Sequence, residues 1–192
     1  MEIAKIIENN IYVKECKSNK KKDINSLSYL LDTIISQSDC IKLGIGCERI
    51  LCDFILSNAQ HLSNIKPINK KGSKERDHLF IDTKNKIIFY AELKGNINLD
   101  TEKSIETSNK CLNIKKDLQK NYPDYVINMY LVSIRHYTNK IIPKTIINKY
   151  NNIKDNVIGI NEYLTYLSIT KQFNEKEYKY IINFLAQKMF KY

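Results

Sequence analysis

Zinc-type cysteine pairs, a histidine cluster, an internal repeat and a long hydrophobic run are all missing from this sequence of 192 residues. Each absence removes a class of protein. The five cysteines, Cys16, Cys40, Cys47, Cys52 and Cys111, are odd in number and form no C-x-x-C pair, while His61, His78 and His136 stand alone, so zinc-ligand spacing is absent and reduced thiols are expected. No apolar stretch approaches the ~18 residues that cross a bilayer. The opening MEIAKIIENN lacks the apolar run and small-residue cleavage site of a secretory signal, so the expectation is an intracellular, cytoplasmic protein that is not secreted. Without a repeat, a solenoid is excluded, and the expectation is a single domain over 1–192, with a core at about 24–170 and a C-terminal helix at about 174–190.

Arginine is scarce too, confined to Arg49, Arg76 and Arg135, so the formal charge of +10 is carried by lysine along the whole chain. A polyanionic partner follows naturally, because each phosphate neutralised by a lysine releases counterions. AT-rich coding DNA also enriches Lys, Asn, Ile and Tyr, so charge alone does not decide the matter. The 13 tyrosines do not recur at period two on one strand and are expected in strands and core rather than on a base-stacking platform.

Periodicity predicts a helix over about 24–36, with Asp23 as N-cap and a stripe at Leu27, Leu30, Leu31, Ile34 and Ile35. A second helix is expected after Gly44 and Gly46, from about Cys47 to Leu62. Residues 63–76, with Pro67, Gly72 and five cationic side chains, read as an exposed loop. Two β-rich stretches, Leu79 to Ile81 and Ile87 to Leu93, then form a hairpin. A helix capped by Asp100 or Thr101 follows, with Ile105, Leu112 and Leu118 facing inward, then strands at about 126–134 and 157–160. The final helix, at about 174–190, carries a stripe at Tyr178, Ile181, Ile182, Leu185 and Met189. This order predicts an α/β fold with a central mixed sheet flanked by helices on both faces.

Acid-x-Lys triplets are cheap in so charged a chain, and four occur: Glu15 to Lys17, Asp82 to Lys84, Glu92 to Lys94 and Glu177 to Lys179. Only Glu92-Leu93-Lys94 ends an apolar strand, where burying two charges costs several kcal/mol unless they are compensated. A turn centred on Lys84 and Asn85 pairs Thr83 with Lys86 and sets Asp77 opposite Glu92. Strand alternation puts Asp77, Glu92 and Lys94 on one face, with cross-strand Cβ atoms ~5 Å apart, and Asp82 on the other. Two such carboxylates can bracket one hard divalent cation, Mg²⁺ or Mn²⁺, while Lys94 orients a water or offsets charge on a phosphate. A cross-strand ion pair on a surface hairpin is the plain structural alternative.

The segments ERDHLFID and IIFYAELKGN resemble the PD-(D/E)xK nuclease motif on its hairpin, with Asp77 matching the first acid, Glu92 the second and Lys94 the lysine. The continuation GNINLDTEKSIET is similar to the stretch after the catalytic strand in some type II restriction endonucleases. Arg76 stands where the motif's proline would be. The resemblance implies a restriction-endonuclease-like core, metal ligation by Asp77, Glu92 and the Leu93 carbonyl, and a catalytic glutamate from the preceding helix at Glu48. Glu48 also reads as a helix-start acid placed against the dipole.

Lys70, Lys71, Lys74 and Arg76 before the motif, Lys103 and Lys110 on the helix after it, and Arg135 with His136 beyond the next strand are candidate DNA contacts, or else parts of a solvated face. What the resemblance implies overall is a Mg²⁺-dependent type II restriction endonuclease. It would be a homodimer cutting double-stranded DNA to leave 5′-phosphates, with a cognate DNA methyltransferase in the same system. The alternatives are a Holliday-junction resolvase or repair nuclease of the same fold, and a non-catalytic DNA-binding protein.

Overall fold

The hairpin organises the molecule. A computed structural model describes residues 3, 5–7, 14–15, 27–31, 35–65 and 77–191. Within it strands β1 (Ser63–Asn64), β2 (His78–Asp82), β3 (Ile87–Lys94), β4 (Val126–Ser133) and β5 (Val157–Ile158) form one sheet in the order β1-β2-β3-β4-β5. The first three strands are antiparallel, and β4 and β5 are parallel to β3. Pairing of Asp82 with Ile87 and of His78 with Ala91 is the expected register. Lys86, at φ 53°, turns the chain back, and the Asp82 carboxylate accepts from the Asn85 backbone N–H at 2.9 Å and its amide at 2.7 Å.

Helix α1 (Gln37–Asn58) lies against one face of the sheet and α2 (Thr101–Asn121) against the other. The short helix α3 (Lys144–Ile147), a run of 3₁₀ turns over Asn148–Asn156, α4 (Ile160–Tyr166) and α5 (Glu175–Met189) follow β4 along the chain, and a separate two-stranded parallel sheet pairs Lys14–Glu15 with Phe190–Lys191. Because β3 and β4 are central, both of their faces are apolar. Phe89, Ala91, Leu93, Tyr130 and Val132 meet α1, α4 and α5, while Ile88, Tyr90, Ile127, Met129 and Leu131 meet α2 at Cys111, Ile114 and Leu118. Each fully buried large apolar side chain contributes about 1.5–3 kcal/mol.

Several expectations change here. Helix α1 starts ten residues before Cys47, because Ser36 accepts from the Asp39 N–H at 3.1 Å and caps it. Gly44 and Gly46 are therefore interior. Gly46 has a packing reason: an added Cβ would lie 2.6 Å from the Met189 sulfur on α5. In the supposed loop after α1, Ser63 and Asn64 pair with Ile81 and Phe80 as an edge strand. Ile160 begins α4 instead of ending a strand.

On α2 the buried face is Ser104, Ser108, Cys111, Ile114 and Leu118, so Ile105 points to solvent. Small side chains let that helix lie close to the sheet, and the Ser104 and Ser108 hydroxyls donate to the carbonyls of Asp100 and Ser104. Of the first expected helix, Leu27–Leu30 forms a 3₁₀ turn, and Leu31 and Ile35 are buried. Asp23 and Ile34 lie outside the described residues. The capped final helix stands as expected, with Asn174 and Glu177 in a reciprocal capping box. Tyr90, Tyr150, Tyr163 and Tyr178 are core residues.

Asn161 ties α4 to the segment that leads into α5. Its buried amide donates to the Phe173 carbonyl at 2.9 Å and accepts from the Phe173 N–H at 2.8 Å. Asn161→Ala leaves both backbone groups unsatisfied and is expected to cost about 2 kcal/mol. The check is a lower urea midpoint at unchanged slope.

Candidate active site

Asp77 precedes β2, and Glu92 and Lys94 lie at the end of β3, on the face covered by α2. The turn after Asp82 sets this register, and alternation along the strand does the rest. The Asp77 carboxylate accepts from the Leu93 N–H at 2.7 Å, which fixes it across from Glu92. Glu92 is 1% exposed and makes three kinds of contact. Lys94 Nζ lies 2.9 Å from Oε1, Lys110 Nζ bridges both oxygens at 2.7 and 2.6 Å, and the Tyr90 hydroxyl donates to Oε2 at 3.1 Å.

The electrostatics follow from this packing. Burial first, and the Glu92 charge second, push Asp77 up to about 6, against the Leu93 N–H and the two lysines. For Glu92 burial also works upward, but hydrogen bonds and charge from Lys110 and Lys94 outweigh it and hold the carboxyl below its usual range. Burial lowers Lys94, yet Glu92 and Asp77 together raise it. The Cys111 thiol, beneath the site on α2, is pushed up to about 12 by burial and then by Glu92, which leaves it an inert core group.

The rest of the site is scaffold. Lys94 pairs in register with Ser133 on β4, whose hydroxyl is 2.6 Å from His136 Nδ1. His136 is buried and pushed down to about 4 by burial, then by Arg135, so the ring is neutral at pH 7. The chain leaving Lys94 is clamped: Tyr150 donates to the Ile97 carbonyl at 2.7 Å, and Lys149 to Asn98 Oδ1 at 2.7 Å and the Leu99 carbonyl at 2.8 Å. Neither clamp residue was among the sequence candidates, since both come from a segment without helical or strand periodicity.

The other candidates are placed differently. Glu48 sits half-buried on α1, which packs on the opposite sheet face. Its carbonyl contacts His78 Nε2 at 2.9 Å, anchoring α1 beside Asp77, and its carboxylate charge acts on Cys52. Lys103 is exposed and pairs with Asp100 at 3.1 Å in the first turn of α2. Arg135 stacks its guanidinium over the Tyr29 ring at 4.8 Å. Lys110, expected on a phosphate-tracking surface, instead enters the acidic site. Lys70, Lys71, Lys74 and Arg76 lie outside the described residues.

Among the described residues no group of three or more His, Cys, Asp or Glu side chains gathers to hold a metal. Two carboxylates and the adjoining Leu93 peptide are what the site offers, and hard oxygen donors of that kind suit Mg²⁺ or Mn²⁺. Burial first and the neighbouring Glu92 charge second raise Asp77, so two carboxylates share this corner of the sheet, a donor set of the chemical kind that a hard divalent cation takes.

The architecture is an α/β fold with a five-stranded mixed sheet flanked by helices, compatible with the PD-(D/E)xK nuclease scaffold but not specific to it. No family model, no curated protein and no solved structure matches the chain. Among the described residues, no helix is long and apolar enough to cross a membrane.

Proposed function

We propose that the protein is a Mg²⁺-dependent endonuclease of the PD-(D/E)xK kind, acting on double-stranded DNA as a type II restriction endonuclease. The observation that carries the reading is the meeting of Asp77, Glu92 and Lys94 on one face at the end of a central strand. Burying Glu92 at this position costs several kcal/mol without counter-charge, and a surface hairpin has no call for it.

Asp77 and Glu92, with the Leu93 carbonyl, would hold the divalent ion. When bound, that ion supplies polarisation of a phosphate oxygen and a lower pKa for water. Lys94, whose side chain is 36% exposed and pairs with Glu92, would orient an attacking water and offset charge growing on the phosphate. Asp77 is held still by the Leu93 N–H. The Tyr150 and Lys149 clamp keeps the strand end from shifting, and a shift of an ångström at such a centre costs about a hundredfold in rate.

A net charge of +10 suits a polyanionic substrate, and Lys71, Lys74, Arg76, Lys103 and Arg135 are proposed DNA contacts. A homodimer on a two-fold symmetric site would let one centre per chain cut both strands to 5′-phosphate ends, and a cognate methyltransferase would protect the host's sites.

Digestion of a long, sequence-diverse duplex with and without Mg²⁺ tests the reading. Discrete metal-dependent bands are expected. Cleavage restricted to branched DNA would make the protein a junction or repair nuclease, and no cleavage of duplex, single-stranded or branched DNA would leave a DNA-binding protein without catalysis.

A further inference from the structure

Glu92 is fully engaged by other side chains of the same chain. Lys110 Nζ bridges both carboxylate oxygens at 2.7 and 2.6 Å, and it is this carboxylate that would hold a divalent ion. Lys94 takes only Oε1, at the longer distance of 2.9 Å, and is held by the field of Asp77 as well. The two lysines differ in origin also. Lys94 is two residues from Glu92 on the same rigid strand, whereas Lys110 reaches in from α2, one position before buried Cys111, on the flank of that helix. Its side chain is 24% exposed, so four methylenes and an open side allow the ammonium to withdraw towards solvent without disturbing the core.

We propose that Lys110 is a displaceable counter-ion of Glu92, a positioning residue that holds the carboxylate until a divalent cation binds and then presents its ammonium to a phosphate oxygen of the substrate. The proposal rests on the nuclease reading of the same site. Charge explains the arrangement. Asp77 and Glu92 carry two negative charges, and Lys94 and Lys110 two positive ones, so the cation-free site is neutral and the buried carboxylate is compensated. With a divalent ion added the same four side chains leave the site at +2, which attracts a phosphodiester. Without Lys110 the loaded site would hold +1. Lys110 thus weakens metal binding and strengthens substrate binding, and the two effects should separate by measurement.

The experiment is calorimetric titration of the full chain with Mn²⁺, comparing the native protein, Lys110→Met, Lys110→Arg and Glu92→Gln, with circular dichroism to confirm folding. Lys110→Met is expected to bind Mn²⁺ about tenfold more tightly than the native chain, because one competing charge is gone. Lys110→Arg keeps the charge and should bind within about twofold of native. Glu92→Gln should lose the site.

Equal or weaker Mn²⁺ binding by folded Lys110→Met would make the lysine a purely structural counter-ion and overturn the proposal. If Lys110→Met fails to fold, tighter or weaker binding by Lys110→Gln decides in the same way. Absence of Mn²⁺ binding in every variant overturns the proposal and the metal-dependent reading together. Tighter binding by Lys110→Met in a chain that cuts no DNA would keep the counter-ion and reject the nuclease. In an active enzyme, Lys110→Met should raise KM for duplex DNA several-fold at saturating Mn²⁺ while kcat changes little, whereas a structural defect would lower kcat.

Discussion

Glu92→Gln is expected to slow DNA cleavage at least about a thousandfold while leaving the fold in place. The carboxylate is buried at 1% exposure and is the common partner of Lys94, Lys110 and Tyr90, so its charge holds both lysines in place. An amide keeps the shape but removes the negative charge that holds both ammonium groups and is proposed to hold a cation. Lys94→Met should cause a loss of similar size for a different reason, since it leaves Glu92 with Lys110 and takes away the group proposed to face the phosphate. Single-turnover cutting of a supercoiled plasmid measures both. A rate within about tenfold of native in either variant would place the chemistry elsewhere.

Asp77→Asn should behave in opposite ways in two assays. Cleavage should be lost, because one of the two carboxylates proposed to hold the cation goes, yet the fold without added metal should gain about 2 kcal/mol at pH 7 and above. The Asp77 carboxyl is pushed up to about 6 by burial and then by Glu92, from 3.8 when unfolded. A raised carboxyl binds its proton more tightly in the folded state, so that group favours folding below the unfolded pKa and loses its contribution as pH rises through 6. Asparagine can still accept the Leu93 N–H, so removing the charge relieves repulsion without breaking the 2.7 Å contact.

The difference in unfolding free energy between Asp77→Asn and the native chain should be near zero below about pH 4 and reach its full size above about pH 6.5. Glu92 contributes in the opposite sense, with stability present above its unfolded pKa and lost as pH falls, but it is common to both proteins and cancels in the difference. Mn²⁺ should stabilise the native chain more than the variant, narrowing or reversing the gap. A destabilised Asp77→Asn across the whole pH range would mean that burial and the Glu92 charge do not raise the Asp77 carboxyl in the folded protein.

How much of this was readable beforehand depends on the range of the interactions involved. The hairpin was legible because a short turn and a period of two leave only one register that buries both faces of β3, and that register alone puts Asp77 against Glu92. Asp100 as a cap and the Asn174 start of α5 were legible because capping is decided within four residues. The start of α1 was misplaced because two glycines read as a break, while the packing of Met189 against Gly46 comes from 143 residues away. Ser63 and Asn64 carry no strand signal of their own and pair only because the edge of β2 is there to receive them.

The site divides along the same line. Local chemistry in the sequence determined a mixed α/β fold, a hairpin with three chemically suited residues on one face, and a surplus of positive charge. Tertiary structure decided that small Ser104, Ser108 and Cys111, rather than Ile105, face the sheet, and this rotation brings Lys110 over Glu92. It also decided that Tyr150 and Lys149 clamp the strand end and that Glu48 lies on α1 across the sheet. Periodicity reports which residues share a face of one element, but which face is buried depends on the shape of the surface it meets, and that surface is assembled from distant parts of the chain.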